Sequence, residues 1–316
     1  MELSPTTPAQ ERFAAEVLAW GAPRPPAGED LVAGLRTRLE QTLERRRPGI
    51  DELADRQRDG RVVVGRTTLE RTVCDGWQLE PEPYRHTRDN VRAHLAVAAV
   101  VRDWERQRRT PPRSVVAEVW QEEASRRPGD PSSRSAWLNA CDDPDGLSDE
   151  VAELVGVTRQ VWPVLPTDRV ELRLQRPLAV TLAGGRVVLR GTPHVVVDSP
   201  VRDDRARALV VDLRTGMPRP ASDRRAVRFD ALLVALTDGR APFRWASFHV
   251  TDGRAEHEDL AAGPLHAVAD EVMAAVDQLL RLSPLEPGAH DAQLELQGGP
   301  WCGGCRRRLR CPVAVD

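Results

Sequence analysis

Cysteines near the end of the chain carry the clearest chemical signal in this sequence. Cys302, Cys305 and Cys311 are spaced C-x2-C-x5-C, and Cys74 stands far upstream of them. Thiolates at this spacing converge on a soft metal, because a tight turn lets one short segment supply three ligands. A fourth ligand from Cys74 would tie the terminal segment to the first half of the chain. The pattern therefore predicts a metal centre held by these four cysteines.

Two other interpretations of the cysteines are a disulfide pair and free buried thiols. The sequence shows neither a signal peptide nor a long apolar run, so we expect a cytoplasmic protein without membrane contact, and disulfides are rare there. Zinc and a 4Fe-4S cluster both accept four thiolates. Closed zinc sites more often pair two short knuckles, so a terminal triplet with one remote cysteine favours the cluster. The fifth cysteine, Cys141, is expected to be dispensable.

The cationic residues number 45 and all of them are arginine, while the formal net charge is −3. No reaction step that needs a lysine is therefore available, although arginine can still hold a phosphate through two parallel hydrogen bonds. Arg306, Arg307, Arg308 and Arg310 lie between the second and third terminal cysteines. Such a run is usually a solvated face, but a metal centre would hold it rigid. We therefore expect these four arginines to contact nucleic-acid phosphates.

Candidate catalytic side chains occur at the ends of apolar runs. Asp212 follows two valines and stands two residues before Arg214. An earlier apolar run, Val195–Val197, begins directly after His194. A carboxylate at the end of a buried strand, facing a ligand on the next strand, is a common way to hold Mg2+ for phosphodiester hydrolysis. His94 falls on a segment with helical periodicity. Taken singly, Asp212 would be a turn residue and His94 a satisfied core histidine.

The elements that position these residues change in type along the chain. The sequence predicts a helical region over residues 1–64 that ends in a short strand at 62–64. It predicts a larger domain over residues 65–316, in which residues 126–147 form a surface loop. A capping box of Thr67 and Glu70 predicts a short helix with Cys74 at its end. Further helices are predicted over 88–107, 148–162, 223–236 and 265–282, and strands over 169–175, 178–182, 186–189, 195–197, 209–211 and 243–250. The order predicts a mixed α/β core.

The order of the motifs resembles the PD-(D/E)XK nucleases of the RecB type, in particular the branch with an iron–sulfur cluster. That branch includes the AddB helicase-nuclease subunit and the exonucleases of CRISPR adaptation. Its members have an early cysteine after a short helix and then a G-x-x-x-H helix. A G-x-x-D strand, a D/E-x-K strand continuing T-G, a Q-x-x-x-Y helix and a terminal C-x2-C-x5-C follow.

In this chain the resemblance spans about residues 65–311 and is complete at the cysteines. The other matching segments are Thr67–Cys74, Asn90–His94, Gly191–His194, Asp212–Gly216 and Ala226–Asp230. Within them, Asn90 replaces glycine, His194 replaces the aspartate and Arg214 replaces the lysine. Neither glutamine nor tyrosine is present in the last segment.

The resemblance implies a mixed sheet of the restriction-endonuclease-like type flanked by helices, with a metal-stapled C-terminus. It also implies that His94, His194, Asp212 and Arg214 are the catalytic positions, the two histidines and Asp212 being metal ligands. Imidazole in place of a carboxylate is a poor Mg2+ ligand, and Mn2+ or Fe2+ tolerates it better. Asp198 would lie ~13 Å from His194 along a regular strand, which is too far to substitute. We therefore expect cleavage to be lost or much weakened.

The leading hypothesis is a DNA-binding protein of this type, acting on single strands or ends in repair, recombination or defence, in association with a helicase or another subunit. One alternative is an active exonuclease that uses Mn2+ or Mg2+ at Asp212. A second alternative is a metal-stapled protein-interaction module without nucleic-acid contact.

Overall fold

The computed structural model describes residues 7–19, 22–82, 85–127, 129–166, 170–199, 205–216, 220–260, 262–286 and 289–315. The helices are α1 (Pro8–Glu16), α2 (Glu29–Glu44), α3 (Arg47–Arg56), α4 (Arg66–Arg71), α5 (Asp75–Leu79), α6 (Arg88–Glu105), α7 (Pro112–Ser125), α8 (Arg134–Asn139), α9 (Pro144–Val161), α10 (Pro220–Asp238) and α11 (Ala262–Leu282). The strands are β1 (Val62–Val64), β2 (Glu171–Leu174), β3 (Leu178–Leu182), β4 (Val187–Gly191), β5 (Val195–Asp198), β6 (Leu209–Arg214), β7 (Arg244–His249) and β8 (Arg254–Asp259). The chain is therefore a mixed α/β protein, as predicted.

The main sheet has the strand order β2-β5-β6-β7-β8. Strands β6 and β7 run parallel and α10 connects them, while the other neighbouring pairs in this sheet are antiparallel. A smaller sheet has the order β1-β4-β3, with β1 parallel to β4. Parallel pairing needs a long crossover, and a helix such as α10 is its usual form.

Hydrophobic side chains cover both faces of the main sheet. Val210 and Trp245 belong to a core built with α2, α10 and α11, whereas Val211 and Leu213 belong to a second core built with α6, α7 and α9. Side chains alternate between faces along a strand. Asp212 therefore lies on the same face as Val210, beneath α10. The result is a three-layer arrangement of helices, sheet and helices.

The N-terminal region predicted as helical contains α1 to α3 and ends in β1, also as predicted. Leu35, Leu39 and Leu43 of α2 are buried in the core that also contains residues of α10 and α11. The described part of the first 64 residues therefore shares a core with the rest of the fold. Within the described residues, no helix combines the length and apolar character that crossing a membrane requires.

Two local predictions are wrong. Helix α4 begins after Gly65, whose N–H donates to the Thr68 hydroxyl at 3.3 Å, so Thr67 and Glu70 form no capping box there. Cys74 is the N-cap of α5 and does not end α4. The segment 126–147 is only partly loop, because it contains α8 and the start of α9. Asp143 caps α9 by accepting a hydrogen bond from the N–H of Gly146 at 3.0 Å.

Candidate metal centre and Asp212 pocket

The four cysteines singled out by their spacing line one pocket. Cys74, Cys302 and Cys305 are buried and Cys311 is half-buried, and all are free thiols. A 3-10 turn, Pro300–Gly304, carries the first terminal cysteine and leads into the second. We call this set of four the cysteine pocket. Cys141 lies apart, at the edge of the core beneath α6, α7 and α9.

The donor set and its surroundings fit a thiolate-bound metal group. The N–H of Gly299 points at the sulfur of Cys302 at 3.5 Å, and burial together with the charges of Cys74, Cys311 and Glu80 raises the pKa of the Cys305 thiol. A bound cation stabilises thiolates that would otherwise repel one another. N–H groups that donate to sulfur are typical of iron–sulfur sites. In the described part of the chain, however, no group of three or more Cys, His, Asp or Glu residues forms a metal site. The four cysteines thus line one pocket, and metal binding by them stays a prediction.

A buried carboxylate next to Cys74 fastens the terminal segment to the rest of the fold. Asp75 is 1% exposed and accepts hydrogen bonds from Gln278 at 2.8 Å, from Arg281 at 2.8 Å and from the N–H of Glu295 at 2.7 Å. The N–H of Asp75 donates in turn to the carbonyl of Glu295 at 3.1 Å. These bonds connect α5, α11 and the terminal segment at one point.

The prediction that four terminal arginines contact nucleic acid is wrong for Arg307. Its side chain is 3% exposed and pairs with Glu80 and with Asp291, each at 2.6 Å. Arg310 also pairs with Glu80 at 2.6 Å, although half of its side chain remains exposed. Arg306 and Arg308 are exposed. Arg307 therefore holds the terminal segment in place, and the exposed arginines are the ones that a ligand in solution can reach.

A second cluster surrounds Asp212, whose side chain is fully buried. Arg66, the first residue of α4, lies 2.9 Å from Asp212 and also pairs with Asp230 of α10. Arg214 pairs with Asp212 through Nε and lies 3.4 Å from Asp223. We call these residues, together with His194, the Asp212 pocket. Its carboxylates are neutralised by arginines of the chain itself.

The charges in this pocket leave little place for a divalent cation. Burial alone would raise the pKa of Asp212, but the charges of Arg66, His194 and Arg214 outweigh it and hold that pKa far below its ordinary value. Neither carboxylate oxygen of Asp212 has a hydrogen-bond partner with suitable geometry, although the guanidinium groups of Arg66 and Arg214 lie within ion-pair distance. A metal ion at Asp212 would have to displace these arginines. The residues present therefore do not fit the predicted Mg2+ site.

His194 lies directly before β5, outside that strand, and its side chain reaches Asp212. Its Nδ1 is 2.8 Å from Asp212 and accepts the N–H of Leu213 at 3.0 Å. These two neighbours leave no room for a metal at Nδ1. Only Nε2 would remain as a ligand. Asp198 lies at the far end of β5 and pairs with Arg173 at 3.2 Å.

His94 does not join the Asp212 pocket, and the predicted pairing of the two residues is wrong. Its Nε2 lies 3.1 Å from Glu123 and 2.6 Å from Arg134, on α7 and α8. Helix α6, which carries it, packs in the core on the face of the sheet opposite Asp212. Its partners and position are those of a structural histidine.

Sequence reasoning missed Arg66 and Asp230. Asp230 stands where the resembling family has its tyrosine, and a carboxylate at that position was the one available signal. Gly191 explains how α10 comes so close, because a Cβ there would lie 2.6 Å from Leu233 and 3.3 Å from Asp230. Nothing in the sequence near Arg66 indicates its two partners, which lie on distant elements.

Comparisons with known proteins add little to this picture. No protein-family model matches the chain, and no curated protein does. A solved structure titled "Crystal structure of SSO0001" is 13% identical and covers 70% of this chain and 86% of that chain, with a TM-score of 0.30. A TM-score this low does not establish a shared fold.

Proposed function

We propose that the protein is a nucleic-acid-binding relative of the iron–sulfur PD-(D/E)XK nucleases that no longer cleaves. The order of its parts supports this, since the strand after His194, the strand with Asp212 and helix α10 follow one another as the motifs do. The cysteine pocket would hold the 4Fe-4S cluster through Cys74, Cys302, Cys305 and Cys311. A restriction-endonuclease-like core is part of the same proposal.

The pairing of Asp212 with Arg66 carries the proposal of lost cleavage. A nuclease of this type needs a hard cation next to the carboxylate, because the metal activates water and stabilises the developing charge. Here two arginines lie against Asp212, and a second carboxylate, that of Asp230, is paired with one of them. Arginine is always charged and neither binds a metal nor transfers a proton.

Nucleic-acid binding is proposed from the resemblance and from the exposed Arg306 and Arg308 beside the cysteine pocket. Single-stranded DNA or DNA ends are the proposed ligands, within repair, recombination or defence and with a helicase or similar subunit as a partner. Arginine on a rigid segment suits phosphate because it donates two parallel hydrogen bonds.

The test is to purify the protein without oxygen, record its visible spectrum, and incubate it with labelled single-stranded DNA. We expect a brown protein with absorbance near ~400 nm, DNA binding that weakens with salt, and no cleavage with Mg2+ or Mn2+. Efficient cleavage that Asp212→Ala abolishes would favour an active enzyme. A colourless protein with stoichiometric zinc would contradict the cluster, and no DNA affinity at low salt would favour a protein-interaction module.

A further inference from the structure

A single leucine stands out on the surface of the described chain. Leu309 is 99% exposed, whereas the other exposed large apolar residues, all valines, range from 38% to 49%. A fully exposed leucine gains nothing for folding, because its apolar surface stays in water. What distinguishes this leucine is its position in a turn between two cysteines of the cysteine pocket.

The backbone around Leu309 is held firmly. It lies in the 3-10 turn Arg308–Arg310, between Cys305 and Cys311. The residue before this turn is the buried Arg307, and the last residue of the turn, Arg310, pairs with both oxygens of Glu80 at 2.6 Å. Hydrogen bonds from the N–H of Arg308 to Cys305 at 3.1 Å and from Arg310 to Arg307 at 3.0 Å close the turn. The Leu309 side chain, the leucine tip, therefore projects into solvent from a backbone that hydrogen bonds and ion pairs hold in place.

The surroundings of this tip are cationic. Arg306 and Arg308 are exposed on either side of the buried Arg307, and Arg310 is half exposed. Two carboxylates that lie against this run, those of Glu80 and Asp291, are engaged by Arg307 and Arg310. Positive charge around an apolar tip is complementary to a polyanion that has an apolar interior. Nucleic acid, with phosphates outside and stacked bases inside, has that character.

We propose that Leu309 is a wedge that enters the base stack of bound nucleic acid while Arg306 and Arg308 contact the flanking phosphates. Apolar side chains inserted between base steps unstack them, and cations beside the wedge hold the backbone in register. This inference rests on the nucleic-acid binding proposed above and assigns a position to it. It concerns the terminal segment and is independent of whether the Asp212 pocket can cleave.

The experiment measures binding and base unstacking separately. Fluorescein-labelled single-stranded DNA reports affinity, and 2-aminopurine placed in the same strand brightens when a neighbouring base leaves the stack. The purified full-length protein is compared with Leu309→Ala, with Arg306→Gln, and with Val164→Ala as a matched control at another exposed apolar position. Circular dichroism checks that each variant folds, which is expected because all three side chains are on the surface.

For Leu309→Ala we expect the 2-aminopurine signal to fall to the level of free DNA. Its affinity should change by less than about threefold, since the apolar contact and the unstacking cost offset each other. Arg306→Gln should weaken binding and reduce the slope of log affinity against log salt by about 0.7. Val164→Ala should match the wild type.

Two outcomes separate this inference from the proposed function. Wild-type protein that binds DNA without any 2-aminopurine change, or a change that persists in Leu309→Ala, would overturn the wedge alone. Wild-type protein that binds no DNA at low salt would overturn the proposed function and the wedge together.

Discussion

Arg66 lies 2.9 Å from Asp212 and simultaneously pairs with Asp230, so one guanidinium joins α4, β6 and α10. Both carboxylates are fully buried, while Arg66 itself is only partly exposed. Burial raises the pKa of Asp230 even with this partner, whereas the pKa of Asp212 is lowered. Asp212 also lies against His194 and Arg214, so its negative charge has more cationic neighbours than that of Asp230.

Replacing Arg66 should destabilise the protein strongly. In Arg66→Met the carboxylate of Asp230 loses its cation while buried, and breaking such a pair costs about 3–5 kcal/mol. Urea unfolding followed by circular dichroism measures the free energy of unfolding. The double variant Arg66→Met with Asp230→Asn should recover part of the lost stability, because the side chain at position 230 is then neutral. Equal stability of the single variant and the wild type would show that the pairing is not formed in solution.

Substitution of Cys74 should remove both colour and stability. Cys74→Ser takes away the ligand proposed to link the terminal segment to α5, and metal binding energy contributes to folding when the ligands come from distant segments. We expect loss of the absorbance near ~400 nm and a lower melting temperature. Cys141→Ser serves as the control and should keep both. The prediction would be wrong if the two variants had the same spectrum and melting temperature.

Neighbouring arginines in the terminal segment should behave differently. Arg307→Ala removes the buried cation beside Asp291 and Glu80, leaving only Arg310 at Glu80, and should lower the free energy of unfolding by about 2–5 kcal/mol. Arg306→Ala should leave stability within about 0.5 kcal/mol of the wild type, as is usual for surface changes, but should weaken DNA binding. Thermal unfolding and fluorescence anisotropy test the pair. Similar effects of both variants on stability would contradict the assigned burial.

Stability should fall in acid partly through Glu123. Burial would raise its pKa, but hydrogen bonds from His94 and Arg134 and the charge of Arg126 lower it from 4.5 to about 2. The folded-state pKa lies below that of the unfolded chain, so the carboxylate stabilises the fold above about pH 4.5 and this contribution disappears as the pH falls towards 2. Glu123→Gln should flatten the pH dependence of urea unfolding in that window. An unchanged profile would rule out this role.

Regular periodicity accounts for the parts of the fold that the sequence predicted well. In α6, Val91, Leu95 and Val101 recur on one face and are buried, and the structure confirms this helix. Strand β8 went unpredicted because it lies at the edge of the sheet and its side chains are mostly polar and exposed. Its sequence therefore shows no alternation of apolar and polar residues. Helix α8 went unpredicted because proline, aspartate and serine around it indicate loop.

The site was predictable where spacing is local and unpredictable where partners are distant. The spacing of Cys302, Cys305 and Cys311 is enough by itself to indicate that the three thiols share a pocket. No sequence pattern indicated that Arg307 would be buried, because Glu80 reaches it from the first third of the chain. The predicted role of His94 failed for the same reason, since its partners on α7 and α8 depend on helix packing.

The far separation of Cys74 from the terminal triplet has a consequence for how the protein is made. Synthesis proceeds from the N-terminus, so Cys74 leaves the ribosome long before Cys302, Cys305 and Cys311 exist. Until then α5 lacks the Glu295 backbone and the Arg307 side chain that pack beside it. The cysteine pocket can therefore be completed only after the segment with Cys302, Cys305 and Cys311 has been made. A chain that stalls before that point would leave Cys74 and the surface of α5 without the Glu295 and Arg307 contacts that cover them.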